Sequence, residues 1–357
     1  MKRLIMGMAG IIVLVLAGCD LTGTEGGGNE DSLIIADGVI DENVTWESGK
    51  VYVVEDSVSV EGDGRLVIEP GVVVKFYPDA YLWVSDQAAV IAEGTQDAPI
   101  VFTSIRDDAH GGDSNGDGDL TRPARGDWDQ VYIEASGSRF VYCEFLYGGG
   151  GSYDSTLEVY GSYVTVDHCT FAHNEGQDYG AFDAAEALSQ TIITNNVFYD
   201  SEKPLLVGLR YSLDDSNTFH DPDNPAVTND YNGIFVDSYA LAIGEDGPSI
   251  TWEETEVAYV LDSTLTVSTG YTLTLGDDVV LKLWGTDTGI YLETSEDQIV
   301  NHDGSGVAFT SYRDDMRKGD TNGDGTTTSP SDGDWEGIYV DATSSWASWS
   351  NIYYALY

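Results

Sequence analysis

Two six-residue stretches carry the side chains best placed for chemistry. They are Asp113-Ser-Asn115-Gly-Asp117-Gly118 and Asp320-Thr-Asn322-Gly-Asp324-Gly325. Oxygen side chains at alternate positions, then a glycine for a sharp turn, suit a hard cation of calcium's size. Each stretch sits in a longer copy, Phe102 to Trp128 against Phe309 to Trp335, and the copies align without a gap. The acidic spacing is kept while residues between it change, Ser114 to Thr321 and Asp119 to Thr326. A solvated acidic turn would have no reason to hold that spacing twice. The ligand sets expected are Asp113, Asn115 and Asp117 with Asp127, and Asp320, Asn322 and Asp324 with Asp334. The pairs Asp107/Asp108 and Asp314/Asp315 are alternative closing groups.

These stretches resemble the start of calcium loops of the EF-hand and dockerin type. The likeness stops after the glycine. The twelfth loop position, a bidentate Glu in an EF-hand, is Ala124 or Ser331 here, and Pro123 and Pro330 break any following helix. The loop must therefore be closed by residues outside it.

The elements that hold the loops read as short strands. Val51–Val54, Leu66–Ile68, Val72–Phe76, Tyr81–Val84, Ile100–Phe102 and Val131–Ile133 are β-prone runs bounded by Gly, Asp, Pro or Ser. The best helical candidate is Ala181–Leu188. A shorter repeat runs through the middle: Phe145, Phe171, Phe198 and Phe219 are preceded two residues earlier by Cys143, Cys169, Asn196 and Asn217. A strand repeat of this length describes coils of a parallel β-helix, with equivalent residues in ladders ~4.8 Å apart. The Asn members are expected to hydrogen-bond along the ladder.

The sequence resembles the right-handed parallel β-helix, or pectate-lyase-like, repeat proteins of bacterial envelopes. The likeness is carried by Leu66-Val-Ile-Glu-Pro-Gly-Val-Val-Val-Lys-Phe76, Ala92-Glu-Gly-Thr95, Ala98–Ser104 and Gly126-Asp-Trp128. The second copy keeps Leu273–Leu283 and Phe309–Ser311, but has Asp277-Asp278 for Pro-Gly, so a distorted coil is expected there. The resemblance implies an all-β solenoid of two tandem related units, 33–235 and 236–357, the second shorter. The last residues, Ile352–Tyr357, are apolar and β-prone. They imply an open edge, a shortened chain, or a covering partner.

The chain carries a formal net charge of −47, from 62 acidic against 15 basic residues. Such a surface repels nucleic acid, and repels polyanionic sugars unless a divalent cation bridges them. Hydrophobic residues at 41% exclude a disordered acidic tail. Residues 1–18 read as a targeting segment: a basic start, then an apolar run too short to span a bilayer comfortably. Leu16-Ala-Gly-Cys19 resembles the bacterial lipobox, which implies lipidation of Cys19 and a membrane as partner. The Gly-rich stretch 19–32 reads as a flexible tether. The expected location is the bacterial envelope, the outer membrane or cell surface in preference to the inner membrane.

Three sets were weighed for catalysis. Arg106 with Asp107/Asp108 recurs at 313–315, and lyases of this fold pair carboxylate-held calcium with a basic residue; an ion pair that pins the loop explains the duplication equally. His168 and His173 have no zinc-type partners, and His168 should face away from the core. Asp214, Asp215, Asp221 and Asp223, near His220 and Arg210, offer paired carboxylates. Trp46/Trp252 and Trp128/Trp335 recur and should pack inside; Trp83, Trp346 and Trp349 are freer for a ligand. The expectation is a calcium-stabilised, non-enzymatic surface module that touches polysaccharide or another surface protein. The alternative is a polysaccharide lyase or glycoside hydrolase.

Overall fold

A run of three or four β-prone residues cannot bury itself, and here each finds its partner one coil away. The computed structural model describes residues 33–151, 155–176, 178–238, 242–244 and 247–357. The targeting segment, Cys19 and the tether lie outside the described residues. The chain winds as an all-β right-handed parallel solenoid.

Three sheets form its sides. Face A has seven strands, from Leu33–Ile35 to Val197–Tyr199. Face B has eleven, from Gly38–Ile40 to Ala308–Ser311, and face C has six, from Asn43–Trp46 to Ile192–Thr194. All of the pairings within these sheets are parallel, as in Val101↔Val73 and Phe102↔Phe145. Eleven strands at ~4.8 Å spacing make face B roughly 50 Å long.

The core is built from stacked ladders. Phe102, Phe145, Phe171, Phe198 and Phe219 stack face to face with centroids 4.9, 4.8, 5.0 and 5.3 Å apart. Beside them, Asn196 Oδ1 accepts from the Cys169 amide at 2.9 Å and Asn217 Oδ1 accepts from the Asn196 amide at 3.1 Å. The expected asparagine ladder is thus present. A second one was not anticipated. Gly148 N–H donates to Asn174 Oδ1, Asn174 N–H to Ser201 Oγ, and Ser201 N–H to Asn229 Oδ1, at 2.9, 3.2 and 3.2 Å. Cys143 and Cys169 are buried and free.

Two expectations are corrected. Residues 181–188 are not helical: Phe182–Ala184 is a face B strand followed by a turn. The alanines there fill a tight corner rather than favour a helix. The coil at Asp277-Asp278 is also undistorted, and the strands Leu273–Leu275 and Val280–Leu283 keep their pairing. Asp278 adopts φ 64° where Gly71 adopts φ 78°. Aspartate tolerates this left-handed geometry better than most residues.

The copies of the repeat are not stacked face on face. Val51–Val54, Val73–Phe76 and Ile100–Ser104 lie in face A, whereas their counterparts Ala258–Leu261, Val280–Leu283 and Ala308–Ser311 extend face B. Face A stops at Val197–Tyr199, bridged by Thr218 and followed by the antiparallel hairpin His220–Asp221/Asn224–Thr228. A new sheet starts beyond it with Leu265–Val267, Ile290–Leu292 and Ile338–Val340. The second copy therefore sits one face on from the first.

Candidate metal centre

Each acid loop leaves the end of a strand that carries Phe-Thr-Ser and folds back over the outside of its sheet. The first spans from Ile100–Ser104 on face A to Val131–Ile133 on face B; the second spans from Ala308–Ser311 on face B to Ile338–Val340. The glycines at 116, 118, 323 and 325 take positive φ, between 66° and 72°. They turn the chain tightly enough for alternate side chains to converge.

In the first loop the oxygens of Asp108, Asp113 and Asp117 lie within 4.8 Å of one another; in the second, those of Asp315, Asp320 and Asp324 do. One member of each alternative closing pair, Asp108 of 107/108 and Asp315 of 314/315, stands in these clusters. Asp127 and Asp334 have a different task. Asp127 accepts from Arg106 Nη1 at 2.5 Å, Ser104 Oγ at 2.8 Å and the Ala124 amide at 3.1 Å. Asp334 repeats this with Arg313, Ser311 and the Ser331 amide, at 2.9, 2.6 and 3.0 Å. Both carboxylates pin the returning limb of the loop. Asn115 and Asn322 fold onto the loop itself, Asn115 Nδ2 donating to Asp117 Oδ2 at 3.0 Å and Asn322 Nδ2 to Asp324 Oδ2 at 3.1 Å.

The donor set fits a hard divalent cation. Asp108 Oδ1, Asp315 Oδ1 and Asp320 Oδ1 are buried and accept no hydrogen bond. A buried carboxylate oxygen without a partner costs free energy that a cation would recover. Burial, then the neighbouring Asp113, raises the Asp108 carboxyl above its ordinary range; burial, then Asp320, does the same to Asp315. Asp117 and Asp324 are held low by hydrogen bonds from Thr121 and Thr328. Both therefore stay ionised at neutral pH.

Beneath each loop lies a lysine that sequence reasoning passed over. Lys75 and Lys282 are fully buried. Lys75 Nζ donates to Asp107 O at 2.8 Å and Gly112 O at 2.5 Å; Lys282 Nζ donates to Gly319 O at 2.7 Å and Thr321 Oγ1 at 2.6 Å. Burial lowers both, Lys282 to about 8, while nearby carboxylates act in the opposite direction. The signal was the lysine at one strand position in both copies, in a chain with 15 basic residues.

Asp107 sits at the other end of the loop. Burial raises its carboxyl, but hydrogen bonds from His110 and Thr103 outweigh this and leave it low. In the second copy Asp314 keeps the threonine, Thr310, and takes Arg317 in place of the histidine, both at 2.7 Å. The three residues Arg106, Asp107 and Asp108 therefore point to three separate tasks.

The other candidates disperse. His168 is exposed, as expected, and lies tilted against Tyr142 with ring centroids 4.6 Å apart; His173 pairs with Asp200 at 2.5 Å. Of the acidic group near 214–223, Asp215 holds Thr255, His220 pairs with Glu256, and Arg210 pairs with Glu186. Trp46, Trp128, Trp252 and Trp335 are buried. Trp83 Nε1 donates to Glu134 and Trp349 Nε1 to Glu296, both at 2.8 Å, and Trp346 stacks on Tyr357. Among the described residues no helix is long and apolar enough to cross a membrane.

Residues 38–178 match the family model described as Pectate-lyase like beta helix domain. That stretch includes the first acid loop, and the coils beyond it continue the same solenoid with the second. No curated protein and no solved structure matched the chain.

Proposed function

We propose that this chain is a calcium-stabilised β-helix of the bacterial envelope, anchored through lipidated Cys19 and acting as a structural or binding module rather than an enzyme. Two tandem units, 33–235 and 236–357, each hold one cation. The observation that carries this is the duplicated carboxylate triad with its unpartnered buried oxygens. A catalytic centre is needed once, whereas a staple is useful in every unit it locks. Extracellular loops of this kind fill at about 10⁻⁴–10⁻³ M calcium. In that range the cation would screen the carboxylates and fix the long loop against its sheet. The ligand contacted is polysaccharide or another surface protein, and nucleic acid is excluded by charge.

The test is thermal unfolding with calcium and then with EDTA, on the parent chain and on Asp113→Ala/Asp117→Ala and Asp320→Ala/Asp324→Ala variants. Calcium should raise the midpoint, and each double change should remove part of the rise. A midpoint indifferent to calcium would sink the reading.

A glycoside hydrolase is the second reading, and one observation favours it. Glu158 and Asp183 are paired on adjacent face B strands, beyond Tyr132 and Trp83 on the same row. Burial, first of all, raises both carboxyls to about 7. A carboxyl raised to near neutrality can act as a general acid, with its neighbour on the next strand as the base. Release of reducing sugar that Glu158→Gln abolishes would establish it.

A further inference from the structure

The two acid loops start from different faces, yet both come to rest on one corner of the solenoid, Asp230–Gly233. The first loop arrives by its returning limb. Arg125 donates from Nη1 to Asp230 Oδ2 at 2.6 Å and from Nη2 to Asp200 Oδ1 at 2.9 Å. The second loop arrives by its turn. A Cβ placed on Gly323 would lie 3.0 Å from the Asp230 carbonyl oxygen and 3.1 Å from the Tyr231 ring. One placed on Gly233 would lie 2.7 Å from the Thr321 methyl. Residues 321 and 323 alternate with Asp320, Asn322 and Asp324, so the corner touches the cation loop itself. Tyr312 OH, donating to Thr321 O at 3.2 Å, closes the same contact from below.

The backbone of the corner is anchored to the preceding coil, so what a seated loop orders there is the Asp230 carboxylate and the Tyr231 ring. Asp230 N–H donates to Ser201 O and Tyr231 N–H to Glu202 O, both at 2.9 Å, and Asn229 belongs to the buried asparagine ladder. It is also the last corner before the solenoid changes face. Arg125 of the first loop and Gly323 of the second thus meet two groups of one residue, the carboxylate and the carbonyl of Asp230.

We infer that the two loops bind calcium cooperatively, because closing either one orders the Asp230–Gly233 corner on which the other must close. This rests on the calcium reading above and adds a coupling between its two sites. Coupling of this kind is reciprocal, and typical strengths are about 5-fold to 150-fold in affinity.

The experiment is calorimetric titration of calcium into the full chain in detergent, into each double-Asp variant, and into Arg125→Ala, with circular dichroism to verify folding. Disabling the second loop should weaken calcium at the first by ~5-fold or more, and disabling the first should weaken the second by the same factor. In Arg125→Ala, combined with either knock-out, the remaining site should no longer notice the loss. Should Arg125→Ala fail to fold, the reciprocal knock-outs carry the test by themselves. Single-site affinities equal to those of the parent chain would overturn the coupling and leave the calcium reading intact. No calcium uptake by any form would overturn both.

Discussion

The two acid loops share a sequence and differ in what lies under them, and the comparison separates the site from its setting. Both keep the carboxylate triad, the buried lysine and the Arg–Asp pin. What changes is the packing: the first loop lays Ile105 against Val51 and Val53 on face A, while the second lays Tyr312 against Phe235 and Val260 on face B. The partner of the buried aspartate changes too, from His110 to Arg317. The invariant parts are those that form the carboxylate triad or hold the loop's backbone. Apolar cover is interchangeable so long as it fills its space.

The comparison breaks first at the closing carboxylates. Asp108→Ala and Asp315→Ala should each weaken calcium by on the order of a hundredfold at their own loop, because one charged ligand in a set of three is lost. Asp127→Ala and Asp334→Ala should leave a calcium-binding loop but lower the unfolding midpoint in EDTA and in calcium alike. Calorimetry against melting distinguishes the two outcomes, and equal calcium losses from both kinds of change would erase the distinction between ligand and pin.

The lysines give the next effect. Lys75→Met strands one backbone carbonyl, Asp107 O, and leaves Gly112 O only Ser114 Oγ at 3.3 Å, whereas Lys282→Met strands none, because Gly319 O keeps Thr321 Oγ1 at 3.4 Å. Denaturant unfolding should show a loss of ~3 kcal/mol for the first and less for the second. The reverse order would mean that the local charge, not the carbonyls, sets the cost.

A smaller effect separates the opening corners of the two copies. Glu47 and Glu254 both donate their amide to a tyrosine hydroxyl, Tyr52 at 2.8 Å and Tyr259 at 3.3 Å. Glu47 is exposed, while Glu254 is buried against the preceding coil, and that burial raises its carboxyl to about 8. The folded chain thus holds a proton that the unfolded chain releases near the ordinary glutamate value of ~4.3. Stability should fall as pH climbs from there towards about 8 and then level off, as far as this group is concerned. Glu254→Gln should flatten that slope and Glu47→Gln should leave it, as read from midpoints between pH 5 and 9.

Much of this was legible in the residues. The Phe stack and the first asparagine ladder could be read because the same residue types recur at a coil's spacing. The second ladder could not, because its rungs are Asn174, Ser201 and Asn229, whose hydrogen bonds agree where their names do not. The acid triads were half legible: spacing identifies Asp113 and Asp117, but whether Asp108 or Asp127 completes them depends on the path of the intervening loop. A strand lysine is usually a surface residue; only the folded-back loop buries Lys75 and Lys282. The change of face left no trace, because a parallel strand's sequence states which side faces inward and not which neighbour it lies upon.

The hairpin at 220–228 has a consequence for how such a chain lengthens. A duplicated block of coils need not arrive in phase. Here two sides meet their counterparts, through Gly233↔Ala258 and Leu213↔Trp252, and the third simply ends. The ended sheet is covered by a short acidic hairpin with Pro225 in its outer strand, which offers no further ladder to an incoming strand. Tolerance of a misphased joint turns length into something that gene duplication can adjust in whole blocks, with each new block bringing its own acid loop.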